Sequence, residues 1–278
     1  MATLKQKKWK ASTVISIIVI TILAAAMLFP LYYMFAASFM PDGDITKVPP
    51  PLFPETFTMA NYAELFKKPA VRWLFNSIFV SGLTTIFTLM VSSMAGYAFA
   101  KKRFFGREVI FFILIATIMV PKQIMIVPLF KVVDSLGLFD SHWGLIVPVL
   151  GWPIGIFMMR QFMSSVPTEI IESARIDGCG ETRTFLQIVI PLAKAGLSAL
   201  AIFTFVQSWN DYMWQLLVIS STPLKTLPLG VAAIQEEFSV RYGPQLAGAA
   251  IASLPMILVF LAFQKYFTKG ITMGAVKG

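Results

Sequence analysis

Two charged side chains interrupt long apolar stretches of this sequence, and either could contact a polar solute. Lys122 lies 14 residues beyond Glu108, and Asp211 lies 17 residues beyond Lys194. If both stretches are membrane helices, these separations correspond to roughly 21 Å and roughly 26 Å of depth. Charges inside a membrane usually face a bundle interior or a wet cavity, and they tend to pair. We expect Lys122 and Asp211 to line the outer part of a translocation path, while mutual pairing and separate snorkelling to the interface both remain open.

Amide and aromatic side chains accompany Asp211. They are Gln207, Trp209, Asn210, Tyr212, Trp214 and Gln215. Aromatic faces beside amides suit sugar rings, which present apolar C–H faces and hydroxyl rims. An aromatic belt at the membrane interface explains the same aromatic residues about equally well. Asn76 is a further candidate for the path, and its neighbours Ser77, Thr84 and Thr88 rank lower because Ser and Thr also serve helix packing.

The composition indicates an integral membrane protein built from helices. Of the 278 residues, 57% are hydrophobic and 13% are charged, about half the charged share of a soluble domain. We predict a single all-α membrane domain over residues 1–278. The six predicted spans cover residues 12–38, 73–100, 108–131, 143–163, 193–219 and 244–266. With one cysteine and one histidine, the chain has no intrachain disulfide and no ligand spacing typical of a metal site.

The basic residues predict the orientation of the spans. Lysine and arginine in alternate loops divide 15 against six, and every segment favours the same direction. Both termini, the loop 164–191 and the tail 267–278 are therefore expected in the cytosol. The net charge of +9 comes from residues at the ends of apolar runs, so it indicates topology rather than nucleic-acid binding.

The loop 164–191 carries helix boundaries. Pro167 stands where a helix would begin, and Gly178 stands where the chain must turn. These residues predict one helix from Pro167 to Asp177 and a second from Glu181 to Val189, closed by Pro191. A hairpin that merely joins two spans would show the same spacing.

The first predicted helix has features of a contact surface. Ser173 and Ala174 are small, so a partner could approach closely, and Glu172 and Arg175 could bond across an interface. Glu172-Ser173-Ala174, then Gly178, and after nine residues Ile188-Val189-Ile190-Pro191, match the pattern Glu-Ala-Ala, three residues, Gly, nine residues, Ile-x-Leu-Pro. This stretch resembles the loop that marks permease subunits of binding-protein-dependent ABC importers.

The resemblance extends along essentially the whole chain. Matching segments include Phe29-Pro30, Asn76-Ser77, Trp209-Asn210-Asp211-Tyr212 and the tail Gly274-Ala275-Val276-Lys277-Gly278. They are similar to the carbohydrate, maltose-type branch of the family. The resemblance implies the type I importer fold, in which the loop between spans 4 and 5 contains a coupling helix that docks on an ATPase.

The resemblance also implies partners and residue roles. A second homologous permease, two ATPase subunits on the cytosolic side and an extracytosolic solute-binding protein would complete an importer in the cytoplasmic membrane. ATP and Mg would be bound by the ATPase, since this chain has no phosphate-binding loop and needs no cofactor of its own. The implied coupling residues are Glu172, Ser173, Ala174, Arg175, Asp177, Gly178, Pro191, Lys277 and Gly278. The cargo would be a sugar or oligosaccharide, with glycerol phosphate also open.

Two other classes of protein can be weighed against an importer permease. A stand-alone secondary transporter or channel would not need the Glu-Ser-Ala/Gly loop. An intramembrane enzyme would need a catalytic constellation inside the bilayer, yet His142 falls in an outer loop and Asp211 has no acidic partner in the spans. We therefore expect transport without catalysis by this chain.

Overall fold

The computed structural model describes residues 11–234 and 241–275, with side chains over 12–234 and 241–263. Lys277 and Gly278 lie outside this part. All regular structure in these ranges is helical. The α-helices are α1 (Ala11–Ser38), α2 (Asp42–Ile45), α3 (Ala60–Leu65), α4 (Ala70–Lys101), α5 (Arg107–Ile118), α6 (Lys122–Ser135), α7 (His142–Ile146), α8 (Pro153–Ser164), α9 (Thr168–Ile176), α10 (Glu181–Thr184), α11 (Ile190–Leu192), α12 (Lys194–Trp209), α13 (Tyr212–Val218), α14 (Leu227–Ala233) and α15 (Tyr242–Ala275). Val147–Val149 and Thr222–Leu224 form 3₁₀ turns, and Phe185–Val189 forms a π-turn.

Three described helices are long and apolar enough to cross a membrane alone. They comprise Ser12–Ser38, Ala70–Lys101 and Tyr242–Phe263. Three bent pairs qualify when each is taken together, and they are Arg107–Ile118 with Lys122–Ser135 (105°), His142–Val149 with Pro153–Ser164 (46°), and Glu181–Leu192 with Lys194–Trp209 (78°). By length and composition the described residues therefore hold three such spans, or up to six if every bent pair counts as one.

The sharpest bend divides the stretch predicted as one span over residues 108–131. Helix α5 ends in tight turns in which Met119 N–H bonds to Ala116 O at 3.1 Å and Val120 N–H bonds to Thr117 O at 3.2 Å. Pro121 follows with ψ 130°, outside the helical region, and it has no N–H to continue the ladder. The chain therefore restarts as α6, whose first residue is Lys122.

The described residues fall into two compact units. One contains the described residues up to Lys68 with those between Ile234 and Ile251, and the other contains Pro69–Ala233 with the described residues from Ala252 onward. In the former, Asn61 Nδ2 donates to Ser38 O at 2.9 Å and to Met40 O at 2.7 Å, which joins the start of α3 to the end of α1. The apolar side chains of α1 are exposed, with Ile20 at 65% and Met27 at 75%, as expected of a surface that faces lipid.

Helix α4 is the centre of the larger unit, where α8 and α12 pack along it. Gly96 lets α8 approach closely, since a Cβ there would lie 2.6 Å from Met159 Cβ and 2.8 Å from Arg160 N. One core cluster includes Val80, Ile146 and Trp214, and a second includes Met159, Val189 and Leu200. The side chains of α4 and α12 that pack into these clusters are buried, and the remaining faces of the two helices can line a cavity.

Candidate functional site

A cavity of about 510 Å³ lies among α4, α8, α12 and the break between α5 and α6. Lys122 Nζ and Asp211 Oδ2 line it and form an ion pair at 2.6 Å. The break at Pro121 places Lys122 at the start of α6, and Asp211 stands between α12 and α13. The structure thus brings together the two charges whose pairing the sequence left open.

Asp211 also fixes the local backbone. Its Oδ1 accepts a hydrogen bond from Trp214 N–H at 3.3 Å and thereby caps α13. Side-chain exposure is 18% for Asp211 and 56% for Lys122. The carboxylate is therefore held by a helix N-terminus and by an ammonium at once, whereas the lysine reaches the open part of the cavity.

The other predicted path residues divide into two groups. Gln207 lines the cavity beside Asp211. Trp209, Asn210, Tyr212 and Asn76 lie outside the lining that the described residues form. Asn210 Nδ2 donates to Val206 O at 3.0 Å within its own helix turn, and Trp209 is buried against Phe205, with ring centroids 5.7 Å apart.

Asn76 has a structural role in the larger unit. Its Nδ2 donates to Pro223 O and to Lys225 O, each at 2.9 Å. Trp73 Nε1 donates to Thr222 O at 2.8 Å from the preceding turn of α4. These bonds tie the loop 219–226 to α4. The Asn76 amide, which the sequence suggested for a translocation path, therefore binds backbone carbonyls of that loop.

Three threonines line the cavity: Thr84 and Thr88, which the sequence ranked low as path candidates, and Thr204, which it did not single out. Thr84 and Thr88 on α4 and Thr204 on α12 line the cavity, are at most 3% exposed and have Oγ1 atoms without a hydrogen-bond partner among the described residues. Trp152 lines the same cavity and stacks on Phe203 at 5.1 Å, with an interplanar angle of 6°. The four-residue spacing of Thr84 and Thr88 was the available sequence signal, and Thr204 had none.

The second candidate region is the helical loop around α9. Pro167 precedes the helix as its N-cap, and α9 spans Thr168–Ile176, one residue shorter at each end than predicted. Gly178 ends the helix with φ +80°, a conformation that side chains with a Cβ rarely adopt. Cys179 N–H returns to Ala174 O at 2.9 Å and closes the turn.

The faces of α9 differ from the sequence expectation at one residue. Ile171 and Ala174 are buried, at 3% and 5% exposure, and Ile171 belongs to the core. Ala174 is thus covered by its own chain and does not offer a close approach to another molecule. Glu172, Ser173, Asp177 and Gly178 are exposed, and Ile176 is 87% exposed. The outward surface of α9 is therefore a set of polar side chains with two exposed isoleucines, Ile170 at 40% and Ile176.

The helix after Gly178 does not close at Pro191 as predicted. A π-turn over Phe185–Val189 joins α10 to α11, which includes Pro191 and ends at Leu192. The Ile190 N–H reaches back to Phe185 O, so the widened turn comes directly before the proline. A proline lacks the N–H that a regular helix would need there, and the π-turn accommodates that loss.

Glu181 joins the α9 loop to the end of α4. It accepts hydrogen bonds from Lys102, from Arg175 Nη2 at 2.8 Å and from Tyr97 OH at 3.3 Å. The ammonium of Lys102 and then the guanidinium of Arg175 lower the pKa of the Glu181 carboxyl below its ordinary value. Lys101 Nζ adds a bond to Val166 O at 2.5 Å. The position of α9 is thus set by residues of α4.

A helical membrane protein with a mostly apolar cavity that holds an ion pair, and with an exposed helical loop, is organised as a transport protein. The chain belongs to the family described as "Binding-protein-dependent transport system inner membrane component", whose model matches residues 92–273. It is a permease of such a transport system, and this family is a transport component rather than an ATPase.

Similar proteins support the assignment over nearly the full chain. The arabinooligosaccharides transport system permease protein AraQ of Bacillus subtilis (strain 168) is 37% identical over 260 residues, covering 92% of each chain. The lactose transport system permease protein LacG of Rhizobium radiobacter is 34% identical and covers 78% of this chain and 80% of its own. The sn-glycerol-3-phosphate transport system permease protein UgpE of Yersinia enterocolitica is 31% identical, with 88% and 90% covered.

One solved structure shares the fold. It is a bacterial ABC transporter involved in the import of the acidic polysaccharide alginate, and it matches with a TM-score of 0.80 over 94% of this chain and 100% of its own. The identity is 22%, so this likeness concerns the fold alone.

Proposed function

We propose that this chain carries a sugar or oligosaccharide across the cytoplasmic membrane as one permease of an ATP-driven importer. The α9 loop is the observation that carries the proposal. Its Glu172-Ser173-Ala174 and Gly178 resemble the family's Glu-Ala-Ala/Gly pattern, and Glu172, Ser173 and Ile176 face outward. The names of the relatives AraQ and LacG specify saccharides, whereas the name of UgpE specifies glycerol 3-phosphate.

The proposed topology has six spans with both termini in the cytosol. The 15 to six division of basic residues supports this direction. The loop 164–191 then faces the cytosol, and the Lys122–Asp211 pair lies toward the opposite side of the membrane. The cavity around that pair is the proposed translocation path, with Gln207 at its wall. Trp209, Asn210, Tyr212 and Asn76 are not assigned to the path, since they lie outside the lining that the described residues form.

The proposed partners are a second homologous permease, two cytosolic ATPase subunits that bind ATP and Mg, and an extracytosolic binding protein. The ATPase would contact the exposed residues of α9, with Gly178 and Asp177 at the edge of the contact. Ala174 would not contact the ATPase, and its buried side chain would pack α9 against the rest of this chain. Arg175 would hold the loop in place through its hydrogen bond to Glu181. Pro191 would fix the turn behind the loop, and the tail residues Lys277 and Gly278 would add a further ATPase contact.

The experiment is purification of the affinity-tagged chain from its native membrane, followed by mass spectrometry of what accompanies it. Gly178→Arg is the test variant, and Gly137→Arg is its matched control. Both glycines have positive φ, +80° and +69°, and a Cβ at either meets nothing within 4 Å. The two variants should therefore share a backbone penalty of about 1–2 kcal/mol and differ in location.

We expect an ATPase and a second permease to accompany the native chain, and the ATPase to be lost in Gly178→Arg and retained in Gly137→Arg. Equal loss of the ATPase in both variants would show that backbone strain, and not the position of Gly178, causes the loss. Recovery of the chain alone, with uptake driven by a proton or sodium gradient rather than by ATP, would replace the proposal with a secondary transporter.

A further inference from the structure

The loop between α4 and α5 forms a basic pocket at a membrane surface. Helix α4 has 32 residues and is therefore about 48 Å long, enough to cross a bilayer together with its headgroup regions. Residues 102–106, which follow this helix, lie at the level of the lipid headgroups. An open pocket of about 390 Å³ is found there, and its lining consists of Arg103, Phe104, Gly106, Arg107, Glu108 and Val109.

Positive charge exceeds negative charge around this basic pocket. Glu108 accepts hydrogen bonds from Arg107 Nε at 2.9 Å and from Arg160 Nη2 at 3.2 Å, so one carboxylate faces two guanidinium groups. Arg103 is exposed and makes no hydrogen bond or ion pair with the residues that the structure describes. Three arginines against one glutamate leave a surplus of two positive charges, which an anionic ligand would neutralise.

Two of the three guanidinium groups are held in place by the fold. Arg107 Nη1 donates to Lys102 O at 3.1 Å, and the Arg160 guanidinium lies over the Phe111 ring, 3.7 Å from its centroid. These contacts build the wall of the pocket from protein alone, whereas Arg103 keeps all its donors for a ligand. A guanidinium matches the oxygens of a phosphate group, to which it can donate two hydrogen bonds at once.

An apolar surface continues from the pocket along α5. Val109 lines the pocket, and Phe112 and Ile113 follow it on the same helix face; their exposures are 64%, 72% and 59%. Phe105 in the loop is fully exposed, and aromatic rings are favoured at the level of the headgroups. A soluble phosphate compound would use the arginines alone, whereas a phospholipid would cover the charged and the apolar surface together.

We propose that the basic pocket binds the headgroup of an anionic phospholipid, such as phosphatidylglycerol, whose acyl chain lies along Val109, Phe112 and Ile113. Arg103 is the principal phosphate-binding residue, and Arg107 adds to the positive wall. The inference concerns the lipid around this chain, and it depends neither on the transported solute nor on the ATPase.

The test places a photoreactive benzophenone amino acid at position 105, because the full exposure of Phe105 leaves room for the larger side chain. The full chain, with the subunits that accompany it, is reconstituted in equal parts of phosphatidylglycerol and phosphatidylcholine, irradiated and analysed by mass spectrometry. The variant is Arg103→Gln. Arg72→Gln is the matched control, since Arg72 is also exposed and without a partner among the described residues, but lies at the opposite end of α4.

We expect phosphatidylglycerol to be crosslinked in excess over phosphatidylcholine, and Arg103→Gln to lower this excess about fivefold, the factor for one basic residue at an anionic surface. Arg72→Gln should keep the excess of the native sequence. Glycerophosphoglycerol, which is the headgroup without its acyl chains, should leave the crosslinking unchanged because it cannot cover the apolar face of α5.

Four results would overturn the proposal. Equal crosslinking of the two lipids, or an unchanged excess in Arg103→Gln, would show that the pocket does not select an anionic lipid. The same loss in Arg72→Gln would show that net charge, and not the pocket, attracts the lipid. Competition by glycerophosphoglycerol would assign the pocket to a soluble phosphate compound, and crosslinks to a protein in place of lipid would assign it to a partner subunit. Each of these results would leave the proposed import function standing.

Discussion

Replacement of Glu181 by glutamine should loosen the α9 loop while leaving the core of the larger unit intact. Glutamine keeps the shape of the side chain and removes the charge that Lys102 and Arg175 share. The exposures are 56% for Glu181, 29% for Lys102 and 48% for Arg175, so both ion pairs are substantially solvated. Such pairs contribute about 0.2–1 kcal/mol each, and their joint loss should cost about 1 kcal/mol of local stability.

Hydrogen exchange of the α9 amides measures this loss directly. A change of about 1 kcal/mol corresponds to roughly a fivefold shift in the opening equilibrium, so exchange over Thr168–Ile176 should accelerate by about that factor in Glu181→Gln. Glu55→Gln is the control, since Glu55 is 67% exposed and pairs with Lys47 at 3.4 Å in the other unit. Unchanged exchange of α9, or equal acceleration in the control, would refute the role of Glu181 as the residue that holds the loop.

The pH dependence of the same exchange has a defined sign. Because Lys102 and Arg175 lower the pKa of Glu181 in the folded chain, its stabilisation is complete above the ordinary value of 4.5 and is lost as pH falls through the lower folded value. After correction for intrinsic exchange, the native loop should therefore approach the behaviour of Glu181→Gln below about pH 4.5. A native loop that keeps its full protection at lower pH would contradict the sign.

Two further predictions concern packing and charge. Gly96→Ala should lower the melting temperature because the new Cβ would meet Met159 Cβ at 2.6 Å. Gly82→Ala on the same helix is the control, since its Cβ meets nothing within 4 Å, and it should raise stability by about 0.5–1 kcal/mol. Equal melting temperatures of the two variants would contradict this prediction. Asp211→Asn should lower the melting temperature by leaving Lys122 without its counterion, and adding Lys122→Met should recover part of the loss. A double variant less stable than Asp211→Asn would show that the lysine has another partner.

Most of the α9 loop could be predicted because its boundaries depend on backbone chemistry within one turn. Pro167 and Gly178 limit φ and hydrogen bonding locally, so the sequence placed the helix within one residue at each end. The π-turn before Pro191 could not be predicted from local sequence. Its last residue, Val189, is buried in a core cluster with Met163 and Leu200, which come from other segments of the chain.

The cavity was predicted in part. Lys122 and Asp211 could be singled out in the sequence because apolar residues flank each of them. They are 89 residues apart, so only the fold shows that they pair. Asn76 looked available for a solute, but the fold commits its amide to carbonyls 147 and 149 residues away. Thr204 carried no signal at all, because the lack of a hydrogen-bond partner is a property of surroundings rather than of residue type.

The sequence by itself determined the helical membrane class, the family and the chemistry of the α9 loop. These follow from hydropathy over about 20 residues, from charge at the ends of apolar runs and from a local motif, all of which act at short range along the chain. Tertiary structure decided that Ala174 faces inward, that Glu181 joins the α9 loop to the end of α4, and that Lys122 and Asp211 pair at one cavity. Those results depend on which helix faces pack together, and packing between distant segments is set by the whole fold.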